Sequence, residues 1–335
     1  DHWQPLQLDL PVTSVRDIDV HGDDVVMATH GRAFWAIDDV TPLRQVDLNV
    51  GGAGAWLFAP ATAVRVRPAG FTGTPLPKDE PRAENPPAGA YIDYVVGRGA
   101  TGPVVISISD AQGHLVRRFS SDDRLPGTDL ARIRVAPEWL APPVAPSLAP
   151  GMHRLVWSLR HPAPRPLAEG NPYADGVWAP PGRYTVELSV GGMRQTRPLT
   201  VAPDPRVSLP AEAYARQFAL ARRVEALLAR MAAAVEEADA AHKALAARSA
   251  ADLDRQVQGL LGPDFGITPV APPPAGLTPL RVLAATLRTL MAAVDGADAA
   301  PTPDAQAGLA KIEPAAEAAL AAWQSLKANL PADAP

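Results

Sequence analysis

"MATHGRAFWAIDDVTPL" (Met27–Leu43) decides how the first region of this 335-residue chain is read. Alternating apolar residues lead into a tight His30-Gly31-Arg32 turn. A second run with two aromatics, Phe34 and Trp35, follows and ends at Asp38-Asp39. Period-two alternation bounded by Gly and Asp is the signature of a β-hairpin. The stretch is therefore either a small reactive turn carrying a histidine, an arginine and two acids, or one hairpin of a repeated sheet unit.

Working outward, "WQPLQLDLP", "VRDIDVHG", "DVVMATHG" and "RAFWAIDDV" form four strand-like segments between Trp3 and Val40. They recur about every ten residues, and four strands in roughly 40 residues is the size of one propeller blade. "HGDD" (His21–Asp24) is a turn signal, because Gly and Asp tolerate positive φ.

From Trp56 to Val201 the pattern stays β, with Pro-rich connections. "WLFAPATAVRVR" reads as one strand crossing from the first region, and "AYIDYVV" and "GMHRLVWSLR" as two more. "VVISISDAQGHLVRRF" and "GRYTVELSVGGMRQTRPLTV" read as hairpins turning at Gly113 and at Gly191-Gly192. Strands broken by Gly and Pro without helical period predict an antiparallel sandwich of immunoglobulin or fibronectin type, with Trp157 in its core.

Beyond Pro210 the chain becomes Ala-rich with helical period. Tyr214, Phe218, Ala221, Val224, Leu228, Met231 and Val235 form an apolar stripe, with Arg222, Arg223, Glu225 and Glu236 mostly off it. Helices are expected over about 210–247, 251–261, 280–294 and 303–326 as a hairpin or bundle, the last one kinked at Pro314. The division is thus 1–47 terminal blade, 48–85 connecting strand and linker, 86–205 sandwich, and 206–335 helical bundle.

Bulk properties narrow the function. The net charge of −5 gives no electrostatic reason to expect nucleic acid as partner. No apolar run approaches the ~20 residues of a membrane span. The absence of cysteine removes disulfides, thiolate metal sites and cysteine nucleophiles, and it fits the cytosol and a bacterial envelope protein equally. The chain opens on Asp1 without a charged and apolar leader, so it is expected to be a processed or downstream piece. No phosphate loop, dinucleotide fingerprint or nucleophile elbow occurs, and "GGAGAW" (Gly51–Trp56) reads as a linker.

Three constellations could carry chemistry. His30, Arg32, Asp38 and Asp39 could bind a carboxylate or sugar acid; as plain turn and strand-end residues they need no ligand. Asp17 and Asp19, or Asp23 and Asp24, could supply the two carboxylates of a glycosidase, a spacing that solvated strands and turns also produce. Trp139, Tyr173, Trp178 and Tyr184 could stack on sugar rings, or cover sheet ends. His21 and His30 alone fall short of the three protein ligands of a catalytic zinc, so no metal and no cofactor are expected.

The segments "VRDIDVHGDDVVMATHGRAFWAIDDVTPLRQ", "LFAPATAVRVR", "DAQGHLVRRFS", "GMHRLVWSLRHPAP" and "APPGRYTVELSVGG", with the Ala-rich tail, resemble in order the C-terminal region of bacterial BNR-repeat, sortilin-like (VPS10-like) β-propeller proteins of the glycosyl-hydrolase-like type. The resemblance spans nearly the whole chain. It implies a terminal blade whose sibling blades lie upstream, and a non-catalytic interaction or assembly module making protein or carbohydrate contacts. The alternative it leaves is part of a glycosyl-hydrolase-like enzyme with its active site on the upstream propeller. It further implies a periplasmic or secreted bacterial protein, with the upstream blades as partners; self-association is read instead from the amphipathic helices and the exposed sheet edge. The first region holds only Arg16, Arg32 and Arg44 and no tyrosine, which departs from a sialidase-type site.

Overall fold

The computed structural model describes residues 6, 8–46, 54–67, 85–127, 131, 133, 136–137, 143–247, 250–264 and 271–331. Among them the chain is mixed β plus α: thirteen strands in antiparallel sheets and four α-helices. By internal contact it divides into two compact units, 1–123 with 133–158 and 182–202, and 124–132 with 159–181 and 203–335. The sequence-based boundary at 205 follows the change from strand to helix. Contact instead groups the excursion 159–181 with the helices, although it lies within the segment assigned to the sandwich.

The first unit begins with β1 (Val15–His21), β2 (Asp24–Thr29) and β3 (Phe34–Ile37), paired in that order. Three strands thus stand where four were expected. "WQPLQLDLP" forms none among its described residues Leu6 and Leu8–Pro11, the remainder lying outside the described part.

"WLFAPATAVRVR" is not one strand but two. β4 (Ala55–Leu57) pairs with β6 (Ala90–Val96), and β5 (Ala63–Arg65) edges a different sheet. Pro60 lies between them; having no N–H and a fixed φ, it ends the first strand and lets the chain change sheets. β9 (Gly151–Trp157) completes the order β4-β6-β9. The five-stranded sheet runs β5-β13-β12-β7-β8, with β7 (Val105–Asp110), β8 (Leu115–Ser120), β12 (Gly182–Val190) and β13 (Met193–Pro203).

Both expected hairpins form. Gly191 and Gly192 take φ of 56° and 84°, the paired positive values that a two-residue turn demands. In the β7–β8 turn, Asp110 Oδ1 accepts the N–H groups of Gln112 (3.0 Å) and His114 (2.8 Å), while Gly113 sits at φ 84°. Alternation then buries one face: Ile106, Ile108, Val186 and Leu188 on the five-stranded sheet, Leu57, Ile92, Tyr94 and Trp157 on the other. The Trp157 and Tyr184 rings meet edge-on with centroids 5.3 Å apart, joining the two sheets' cores. Tyr94 is locked by Ser147, whose N–H donates to the phenol (2.7 Å) and whose carbonyl accepts from it (3.1 Å); burial pushes this phenol up to about 12.

The second unit holds β10 (Arg160–Pro162) and β11 (Asp175–Trp178), a paired two-stranded sheet, and helices α1 (Ala211–Ala247), α2 (Ala251–Leu261), α3 (Leu280–Asp295) and α4 (Pro303–Lys327). The expected stripe is the buried one: Tyr214, Ala221, Val224, Leu228 and Met231 lie in the core with Leu287, Leu309 and Trp323. Arg223 donates to Glu313 (3.0 Å) and Arg230 to Glu317 (2.8 Å), tying α1 to α4. Thr302 caps α4 by accepting the Ala305 N–H at 3.1 Å, and the helix continues through Pro314.

Candidate functional site

Unlike the other sheets among the described residues, β1–β2–β3 contains no fully buried residue. Its register pairs Ile18 with Met27, Val20 with Val25, Met27 with Trp35 and Val25 with Ile37. Paired residues share a face, so Ile18, Val20, Val25, Met27, Trp35 and Ile37 form one continuous apolar face. The opposite face carries Asp17, Asp19, His21 and Asp24 beside Val26, Ala28, Phe34 and Ala36. All seven residues of β1 are exposed, and Ile18, Val20 and Phe34 retain 59, 57 and 78 % of their accessible surface. Every residue of β2 is only half-buried.

The four-residue constellation does not assemble. His30 and Arg32 are exposed at the β2–β3 turn, where the His30 N–H donates to the Ser14 carbonyl (2.9 Å) and the Arg32 carbonyl accepts Trp35 Nε1 (2.7 Å). Asp38 and Asp39 lie at the other end of β3. Four strand residues at about 3.3 Å each separate the two pairs by roughly 13 Å. Asp39 sits at φ 57°, its N–H donating to Asp24 Oδ1 (2.9 Å) and its own Oδ1 accepting from the Thr41 N–H (3.0 Å). The glycosidase-like pair Asp23 and Asp24 is likewise engaged: Asp23 pairs with Arg44, and Asp24 holds Asp39. Asp17 Oδ1 accepts the neighbouring Ile18 N–H at 2.9 Å.

The residue that the sequence reading passed over is Arg154. From β9 its Nε donates to Asp93 Oδ1 (2.9 Å) and its Nη2 to Asp93 Oδ2 (3.1 Å). Its Nη1 and Nη2 also reach the carbonyls of Asp38 (3.1 Å) and Asp39 (3.2 Å). Its guanidinium carbon lies 4.5 Å from the Tyr91 ring centroid. One planar fork thus clamps the end of β3 to the sheet containing β6 and β9. Burial pushes the Asp93 carboxyl above its ordinary value, opposed by the Arg154 hydrogen bonds. An "AYIDYVV" strand carrying an acid at its buried centre was the available signal, since a buried carboxylate requires a partner.

The aromatic platforms are corrected as well. Trp178 and Tyr173 are buried, at 6 and 9 % exposure, and the Arg160 guanidinium covers the Trp178 ring at 4.3 Å. A sugar stacks on an open ring face, and neither ring offers one. Tyr184 is core, and Trp139 lies outside the described residues. Next to Trp178, Glu225 stands on the inner side of α1, not on its solvent side as the helical pattern reads. Its Oε1 accepts the Val177 N–H (3.0 Å) and its Oε2 the Arg222 guanidinium (2.6 Å). Burial raises its pKa, against the pull of Arg222. A side chain on Gly176 would collide with Glu225 Oε1 at 2.5 Å, so this glycine is what lets the carboxylate reach the β11 backbone.

No family model matches this chain, and neither curated proteins nor solved structures show a significant match to it. The residues must therefore speak for themselves. Among the described residues no group of three or more His, Asp or Glu is placed to hold a metal, and no helix is long and apolar enough to cross a membrane. The named carboxylates hold backbone amides or guanidinium groups in place. The feature left for function is the sheet surface: an apolar face open at Ile18 and Val20, an acidic face, and an edge strand, β1, with one neighbour among the described residues.

Proposed function

We propose that the chain is a non-catalytic interaction and assembly module, with β1–β3 as one wedge of a β-propeller of the sortilin-like, BNR-repeat kind that further blades complete. On this reading the five-stranded and β4-β6-β9 sheets are the halves of an immunoglobulin-like sandwich, and α1–α4 are its helical bundle. One observation carries the reading. Ile18 and Val20 present more than half of their surface to solvent on an otherwise apolar face, and contiguous exposed apolar surface marks an interaction site. A three-stranded sheet whose apolar face is half-covered at Val25, Met27, Trp35 and Ile37 and open at Ile18 and Val20 is a poor stable unit by itself, and sibling blades would complete that cover. The burial of Trp178 and Tyr173 favours protein over carbohydrate contacts.

The test combines dye and substrate. A hydrophobic dye should fluoresce with the wild-type chain and lose at least roughly half that signal in Ile18→Lys/Val20→Lys, with the melting curve unchanged. Aryl-glycosides should not turn over. Turnover by this chain, or a dye signal indifferent to the double substitution, would overturn the proposal.

A further inference from the structure

The partner's chemistry can be read from the edge of β1. Two residues form the β1–β2 turn, so His21 and Asp24 close the hairpin, and alternate residues Asp19 and Asp17 point their amides toward β2. The N–H and C=O groups of Ile18 and Val20 therefore point away from the sheet. The structure records this at Ile18, whose N–H is taken by the Asp17 carboxylate. That oxygen occupies the place of a neighbouring strand's carbonyl. A register shift between Val15 and Asp17 bulges Arg16 and bounds the open edge to Asp17–His21.

A strand laid on this edge would meet Ile18 and Val20 on one face and Asp17 and Asp19 on the other. Cross-strand neighbours of opposite charge are favourable, and like charges are penalised. A second copy of the chain is the wrong occupant. Antiparallel pairing centred on Ile18 sets Asp17 against Asp19, and pairing centred on Asp19 sets that acid against itself.

We infer that the open edge of β1 is a strand-addition site for an extended segment of a partner protein in which basic residues, facing Asp17 and Asp19, alternate with apolar ones, facing Ile18 and Val20. The inference rests on the proposed reading of β1–β3 as an incomplete docking unit and names the partner of that unit. On binding, the Ile18 N–H passes from Asp17 to a partner carbonyl, freeing the carboxylate for a lysine or arginine.

The test uses the full chain and labelled peptides followed by fluorescence anisotropy. A short peptide alternating lysine and valine should bind, weaken with added salt, and bind roughly tenfold more tightly than its glutamate–valine counterpart. Asp17→Lys/Asp19→Lys should reverse that order. Ile18→Pro removes an N–H that pairing with β2 does not use, so it should abolish binding with an unchanged melting curve. Equal affinity for the two peptides, absence of binding, or binding that survives Ile18→Pro would overturn the inference. So would self-association of the chain that Ile18→Pro disrupts. Such a failure with the dye response intact leaves the assembly reading standing; glycoside turnover with peptide binding intact does the reverse.

Discussion

β1 and β7 read alike and live differently. "VRDIDVH" and "VISISD" both alternate apolar with polar residues, and both form strands. Ile106 and Ile108 of β7 are fully buried, whereas Ile18 and Val20 of β1 are 59 and 57 % exposed. β7 has a neighbour on each side and a second sheet's side chains over its apolar face. Among the described residues β1 has one neighbour, and its Ile18 and Val20 lie open to solvent. Alternation specifies a pleated strand with an apolar face; it does not specify what lies on that face.

Substitutions at matched positions measure that difference. The largest effect is expected at Trp157, fully buried between the two sheets: Trp157→Ala should cost about 3–5 kcal/mol in denaturant unfolding. Ile106→Ala should follow at about 2–5 kcal/mol, while Ile18→Ala, in the same pattern, should stay within about 0.5 kcal/mol. Equal costs at Ile106 and Ile18 would erase the comparison, because they would mean that the face of β1 is covered.

Arg154 marks where the two kinds of sheet meet. Arg154→Ala would leave the buried Asp93 without its counterion and release the Asp38 and Asp39 carbonyls, at about 2–4 kcal/mol. Arg154→Lys keeps the charge and loses the fork, and should recover less than half of that loss. Hydrogen exchange should quicken in β1–β3 before it does in β7 or β12. Uniform quickening across the unit would show that the clamp serves the whole core.

The smallest effect is a pH slope. Burial raises the Glu225 carboxyl, so between its ordinary and its raised value the folded chain holds more protons than the unfolded one. Stability should fall as pH rises through that window and level off above it. Glu225→Gln should remove this part of the slope while the amide still accepts from the Val177 N–H. A slope of the opposite sign in the wild type would mean that Arg222, not burial, dominates. Asp204 gives the contrast: hydrogen bonds from Arg206 hold its carboxyl down at about 2, so its contribution is present at neutral pH and fades only in strong acid.

Much of the architecture was legible because it is local. The α2 limits, the two glycine-turned hairpins and the α1 stripe follow from period, caps and turn residues that lie within a few positions of each other. Pro60 shows the same kind of signal missed: a proline inside an apolar run splits it into strands of two sheets. The candidate site was less legible. Asp38-Asp39 look like a reactive pair in sequence, but their carbonyls serve Arg154, which lies 115 or more positions away.

The sequence by itself determined the four helices, the two glycine-turned hairpins and most of the longer strands, because hydrogen-bond period, proline and glycine act over neighbouring residues. Only the tertiary structure decided which apolar faces are covered, which carboxylates are buried, and which aromatic rings are closed to solvent. Burial is set by residues brought together across long sequence separations, as Glu225 is with Val177 and Arg154 with Asp93. Local alternation reads the same whether such a neighbour arrives or not, and so the exposed edge of β1 became visible only in the fold.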